Sequence, residues 1–462
     1  RRDWLSFTFG GEPWIAHQWL AECAMSLLHR AGGLDALVVA TAAALALLFA
    51  WLFHRLLRSG VAMRWALLLA AVAFLGGSHH FHVRPHVVSI LLFAWSYALL
   101  VDVEAGRRRL RDLLWLWPAF LVWVNSHGAV VGGLGTLALV AAAWCAAAWA
   151  GWRTPLVGRR DMPAAAALVI GCCATVLLNP YGLDLVRTWG TILGSRELPR
   201  MIVEHASSLR TGAWQVFVLG AVYGVVLVTT PPRRWTATTA LLPVVWLVLA
   251  LQRVRHAPLF AMAATLAMAE LLPRSGAVAW LRRRRVDVLG GAPVVAPFPR
   301  ACAAVAAAGI AATMLVHRVA PAVAVVRLDP SYWPMGAVPA LRTAAAELPS
   351  AAPVLNDMEL GGFVAYHAPS LRILVDDRWE LYGDTFMLES LRAAPAWIER
   401  WAARGDARVA LASHGSGLDR FLRSAPGWYG VATTPTATLY RRRAWVGAGA
   451  PSRPDRGPGG TR

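Results

Sequence analysis

The chain has 462 residues, 57% of them hydrophobic, with 45 basic against 26 acidic side chains and a net charge of +19. All the basic charge is arginine, and so apolar a composition excludes an ordinary soluble globular protein. The arginines stand mostly in short loops between apolar runs, the placement that orients a membrane protein, which sets nucleic acid aside as a partner.

In chain order, residues 13–30 predict an amphipathic interfacial helix with Ile15, Trp19, Cys23 and Leu27 down one side. Ten apolar runs follow as candidate spans, near 34–54, 65–78, 87–101, 113–124, 130–150, 163–178, 213–230, 236–252, 258–273 and 301–317. The 113–124 and 130–150 pair also reads as one interrupted or re-entrant element. The five cysteines sit in apolar contexts without metal-ligand spacing and read as small buried hydrophobes.

Loops carrying Arg55/Arg58, Arg107–Arg109 with Arg111, Arg153 with Arg159/Arg160, Arg233/Arg234 and Arg282–Arg285 alternate with loops poorer in arginine. The first set is expected to be cytoplasmic. The alternation then places residues 1–32, 79–86, 125–129, 179–212, 253–257 and everything after 318 outside, with 183–212 expected to be helical and interfacial.

Past residue 320 acidic residues become common and short strand and helix patterns alternate. Helices are expected at Leu341–Leu348, Thr385–Arg392 and Ala396–Ala403, strands at Val354–Asn356, Ile373–Val375 and Val409–Ala412, and a strand pair over Trp428–Arg441. The expected organisation is a transmembrane domain over 1–319 (interfacial segment 1–32, spans 34–317), an extracytoplasmic α/β domain over 320–445 and a disordered Pro/Gly/Arg-rich tail over 446–462.

Five polar clusters interrupt the apolar runs, all on the expected outer side: His17-Gln18-Trp19, His79 through His86, Asn125 through Gly128, Asn179 through Gly182, and Arg253 through His256. Ionisable residues at span ends are costly unless paired or facing water, so such a gathering points to a site. Four His in eight residues could hold a metal, yet no carboxylate or Cys lies nearby in sequence; no metal ligand is assigned, and a divalent metal stays open. Arg84, Arg255 and His256 are candidates for an anionic headgroup. Asp3 and Glu204 are candidate catalytic carboxylates, and His17, Asn125 and His127 candidate cavity-lining residues. Asp376-Asp377-Arg378 reads as a strand end whose carboxylates pair Arg378, serving acceptor recognition or support rather than metal chemistry.

Taken in order, several strings resemble a group of bacterial multispanning proteins related to the GT-C glycosyltransferases, the superfamily that includes protein mannosyltransferases and arabinosyltransferases. They are Asp3–Thr8 with Gly11-Glu12-Pro13-Trp14, His17-Gln18-Trp19-Leu20, Arg84-Pro85-His86, Trp123–Gly128, Asn179–Gly182, Glu204 and Arg255–Phe260. In the tail, Asn356-Asp357, Gly361-Gly362-Phe363, Val375–Arg378 and Leu381–Asp384 add to them. The resemblance implies an α-helical polytopic membrane protein of about 10 spans, GT-C-like, in the plasma membrane. It implies an inverting transfer from a polyprenyl-phosphate-linked sugar donor to an extracytoplasmic glycan, lipid or protein acceptor. It also implies that a further N-terminal span and an acidic, Trp-rich first outer loop precede Arg1, and that the catalytic carboxylate belongs to that loop. The rival reading is a non-catalytic membrane protein of envelope glycan assembly or lipid-linked glycan transport; charge-poor spans with polar clusters on one side only argue against a through-path.

Overall fold

A computed structural model describes residues 2–290, 298–320, 323–324 and 326–443. The tail over 446–462, expected to be disordered, lies outside the described residues. Two compact units emerge: Ile15–Arg327, and a second that joins the first 14 residues to the chain from Leu328 on. The boundaries read from the sequence, which grouped residues 1–32 with the membrane domain and changed domain at 319/320, differ on both counts.

The first unit is helical. Its elements are α1 (Trp19–Arg58), α2 (Met63–Gly77), α3 (His86–Glu104), α4 (Leu116–Ser126), α5 (Val130–Trp149), α6 (Met162–Ala174), α7 (Leu183–Gly194), α8 (Leu198–Met201), α9 (Trp214–Val228), α10 (Leu242–Gln252), α11 (Ala257–Leu271), α12 (Gly276–Arg283) and α13 (Phe298–Val319). Each of the ten apolar runs is helical. Among the described residues, six helical segments are long and apolar enough to cross a membrane: 19–58, 86–104, 130–149, 158–177, 254–274 and 300–319. The others are shorter, so the count of ten is not carried by length alone.

The expected interfacial helix and first span are one 40-residue helix that bends at Gly32-Gly33. Gly33 has φ +61°, and a Cβ there would stand 3.1 Å from the His317 ring, so the bend needs glycine twice over. α11 is apolar all round and 83% of its apolar window is buried, the signature of a central helix. α13, which meets α1 at Gly32 and Gly33 through Met314 and His317, has no fully buried residue in the equivalent window.

The second unit is a five-stranded sheet in the order β2-β1-β3-β5-β4. β1 (Pro353–Asn356) runs parallel to β2 (Arg372–Ile373) and β3 (Val409–Ser413). β4 (Trp428–Thr433) and β5 (Ala437–Arg442) form an antiparallel hairpin beside β3. Helices α14 (Val338–Glu347), α15 (Gly361–His367), α16 (Trp379–Arg392), α17 (Pro395–Arg404) and α18 (Gly417–Ser424) complete it. The expected elements are all present, whereas α15 and α18 escaped notice because seven- and eight-residue helices barely establish a period. Residues 5–7 extend the sheet at its β2 edge: Ile373 N–H donates to Leu5 O and Phe7 N–H to Ile373 O, both at 3.0 Å.

An ion cluster fixes this edge. Arg378 Nη1 donates to Asp3 Oδ1 at 2.7 Å, its Nε donates to both Asp376 oxygens at 2.8 Å, and its guanidinium lies 5.0 Å from the Trp14 ring. Asp3 also accepts from the Ser6 hydroxyl (2.5 Å) and from the Leu5 and Ser6 amides (3.1 Å each). Burial raises the Asp3 carboxyl, but the bonds from Ser6 and Arg378 outweigh it and hold it below the usual carboxylate range.

At the C-terminal end of β1, Asp357 accepts from the Ser413 amide at 2.7 Å, and burial pushes its carboxyl up to about 6. Since the folded value lies above the unfolded one, the native state holds an extra proton between them. This group's contribution therefore falls as pH rises from ~4 to ~6, by roughly 3 kcal/mol in total. Denaturation across that range should show Asp357→Asn gaining on the parent as pH rises; parallel curves would refute the assignment.

Candidate functional site

A cavity of about 280 Å³ opens at one end of the helical unit, built from segments far apart in sequence. It is lined by His17 ahead of α1, His80 and His86 flanking the α2–α3 turn, and His127-Gly128-Ala129 in the break between α4 and α5. Trp189, Ile192 and Leu193 of α7 join them, as do His205 and the turn Arg253–His256 between α10 and α11.

Local sequence explains these positions. α10 ends at Gln252, Arg253 is extended (φ −144°, ψ 118°), and Pro258 in the first turn of α11 starts a new helix without needing an amide donor. Val254 N–H donates to Ala206 O at 2.9 Å and Ser208 Oγ to Ala250 O at 2.6 Å, fastening the 203–208 segment beside the arginines. Gly128 admits the Trp189 indole, which would lie 3.2 Å from a Cβ at that position.

Arg255 is half-buried, and its Nη1 donates to His205 Nε2 at 2.6 Å. Burial, followed by the charges of Arg255 and Arg253, lowers His205 to about 4, so the imidazole is neutral at physiological pH. Arg255 thus bonds a neutral group, and among the described residues neither it nor Arg253 pairs with a carboxylate. Two cations in a partly desolvated cavity, with Glu204 acting on Arg255 only through space, favour an anionic occupant. His80, outside the spans, is likewise held well below its ordinary value by burial and then by His86 and Arg255.

Several polar atoms are left over. Among the described residues the Trp189 indole N–H and the Nδ1 atoms of His80 and His205 are buried without a hydrogen-bond partner. The Ala129 amide donates to His127 Nδ1 (3.2 Å) and Ser89 Oγ bonds the same atom (2.9 Å), so the neutral ring carries its proton on Nε2. The rest of the lining is largely apolar and includes Val131, Ile192, Leu193, Pro199, Trp246 and Leu259. Leu193 is 69% exposed, so this lining continues to the surface of the unit.

Of the residues singled out from sequence, His17, His127, Arg255 and His256 line the cavity. Arg84 and Glu204 are not among its lining residues; they pair with each other at 2.7 Å, with His80 Nδ1 3.8 Å from the same Glu204 oxygen. The ligand atoms of His80, His82 and Glu204 lie within 4.8 Å of one another, a two-imidazole, one-carboxylate set suited to a divalent transition metal. The chain supplies here the carboxylate that local sequence lacked, from 120 residues away.

Asn125 is placed differently from the expectation. It accepts from the Trp19 indole (2.8 Å) and donates to Leu121 O and Leu178 O (2.9 and 3.0 Å), a buried clasp between helix ends rather than a cavity wall. Asp3 belongs to the α/β unit, where Arg378, Ser6 and two amides occupy both its oxygens. His205 went unremarked in the sequence although it adjoins Glu204; only folding shows it against Arg255.

No family model and no curated protein matches the chain. Among solved structures, the chain is similar to the archaeal oligosaccharyltransferase AglB from Archaeoglobus fulgidus in complex with an inhibitory peptide and a dolichol-phosphate. The TM-score is 0.51 at 13% identity, over 89% of this chain and 63% of that one. A second structure, the Archaeoglobus fulgidus oligosaccharyltransferase tethered through a disulfide bond to an acceptor peptide containing the NVT sequon, aligns with a TM-score of 0.44 at 13% identity over 89% of this chain and 62% of that one. The chain thus spans somewhat under two thirds of the length of either. At this identity the likeness is one of fold.

Proposed function

We propose that this protein is a membrane glycosyltransferase of the inverting, GT-C-like kind, which moves a sugar from a polyprenyl-phosphate-linked donor to an acceptor hydroxyl or amide outside the plasma membrane of a bacterium. One observation carries the reading: Arg253 and Arg255, without carboxylate partners, share a cavity with an apolar wall that reaches the surface of the unit. A phosphate on a lipid tail matches both halves of that cavity. The fold shared with AglB supports it.

In this reading Arg253, Arg255 and His256 hold the donor phosphate. The acceptor heteroatom attacks the anomeric carbon, the bond from that carbon to the phosphate oxygen breaks, and the electron pair stays on the phosphate beside the two guanidiniums. Glu204 takes the acceptor proton, held in place by Arg84, while His17 and His127 line the sugar's space. His80, His82 and Glu204 could alternatively hold a divalent cation, which would supply further positive charge at this end of the unit. We assign the base role to Glu204 rather than Asp3, whose oxygens are already engaged. Glu204→Gln is expected to retain a polyprenyl phosphate in native mass spectrometry of the full chain while losing transfer; retained transfer would remove Glu204 from the mechanism.

Ten spans, with the cavity end and the α/β unit extracytoplasmic, complete the proposal. Continuous 3₁₀ and α turns support it: the apolar runs 65–78 and 113–124 lie within unbroken helical stretches over 63–80 and 110–126. Reporter fusions at 103–112 and at 253–257 are expected to score on opposite sides. Both on one side would overturn this topology.

A further inference from the structure

A second cavity, of about 130 Å³, lies at the other end of the helical unit. α3 carries His86 of the first cavity at its start and Glu104 of the second at its end, so its 19 residues separate the two by roughly 28 Å. Five arginines line the second cavity (Arg107, Arg153, Arg233, Arg234 and Arg274), with Glu104 and Glu270 as its acids.

Both acids are already engaged. Glu104 accepts from the Ala237 and Thr238 amides (3.1 and 2.9 Å), the Thr238 hydroxyl and the Trp144 indole (2.7 Å). Glu270 pairs with Arg107 at 2.7 Å and lies 4.0 Å from Arg274. That leaves the side chains of Arg153, Arg233 and Arg234 without a hydrogen bond or ion pair among the described residues. They come from two separate loops, Arg153 after α5 and Arg233-Arg234 on the turn Pro232–Arg234.

Orientation in a membrane needs arginines in loops; it does not need three of them converging on one concavity whose acids are used up. All three are exposed at the cavity mouth, and guanidinium forks match phosphate oxygens. Beside them the helix entering α10 opens with a π-turn, Ala237–Leu241, an irregular geometry often kept at binding sites. We propose that this cavity binds a phosphate group, borne by a lipid headgroup or by a soluble phosphate compound, independently of the transfer reaction.

The test uses the full chain in neutral detergent. Radiolabelled inorganic phosphate is one probe, and micelles doped with phosphatidic acid, against phosphatidylcholine micelles, are the other. Three variants are compared with the parent: R153Q/R233Q/R234Q, the charge-matched control R58Q/R159Q/R160Q, and R153K/R233K/R234K to keep the charge. The pocket glutamine variant is expected to lose one saturable site, with binding weaker by about tenfold or more, while the control and the lysine variant change by about twofold or less. Response to phosphatidic acid alone assigns the ligand to a headgroup; response to inorganic phosphate as well assigns it to a soluble phosphate. The proposal is overturned if neither probe distinguishes the pocket variant from the parent, or if the control loses as much. Melting curves that match the parent show that the variants fold.

Discussion

Arg255→Ala is expected to insert and fold normally yet to weaken retention of a polyprenyl phosphate by about 100-fold, roughly 3 kcal/mol, with transfer lost in parallel. The expectation rests on the imbalance around this side chain. Arg255 sits half-buried against a neutral imidazole, and among the described residues no carboxylate bonds it; Glu204 offsets its charge only through space. Removing it relieves a desolvation cost in the free protein and removes a charge-assisted bond in the complex. Stability should therefore hold or rise while affinity falls, the opposite of what a structural arginine would show. Arg255→Lys should recover only part of the affinity, because an ammonium cannot make the forked contact. Native mass spectrometry of the full chain, together with thermal melting, reads both quantities. Undiminished lipid retention in Arg255→Ala would sink the assignment of the cavity.

Arg378→Ala should do the reverse: a loss of about 3–5 kcal/mol of local stability in the α/β unit. Among the described residues the guanidinium is the sole cation bonded to two enclosed carboxylates, Asp3 with no exposed side-chain surface and Asp376 with 9%. Its removal leaves two buried negative charges facing each other across the space it filled, and it strips the packing against Trp14 and Tyr382. Hydrogen exchange at the Ser6 and Phe7 amides should accelerate first, since Arg378 anchors the residue that holds this edge of the sheet. Asp3→Asn should cost less, because the amide oxygen can still accept. The Asp3 contribution is complete above its unfolded value near 4 and fades as pH falls through its depressed folded value, so acid should release the same segment. Exchange at Ser6 that is unchanged in Arg378→Ala would refute this reading.

Much of the helical unit was legible before folding. Apolar runs need only length and hydropathy to declare themselves, and α2, α3, α5, α9 and α11 stand close to where the runs lie. Segregation of polar clusters from arginine-rich loops was legible too: the 79–86, 127–129 and 253–256 segments meet around one cavity, whereas Arg107, Arg153 and Arg233 meet around another. The bend in α1 was not, since Gly32-Gly33 reads equally well as the gap between two helices. Asn125 was misassigned for a similar reason. A polar residue interrupting an apolar run signals that its amide needs partners, but not whether those are a ligand or, as here, Trp19, Leu121 and Leu178.

The sequence by itself determined the apolar segments and the residue types available between them, because hydropathy and charge act on each segment independently of its neighbours. Tertiary structure alone decided pairing. It took Asp3 out of the first unit and gave it to Arg378, matched Arg84 to Glu204, and left Arg255 with His205 instead of an acid. Whether a charge is spent or available depends on a partner scores of residues away, and long-range Coulomb and hydrogen-bond energies are settled only when the chain brings those partners within about 3 Å.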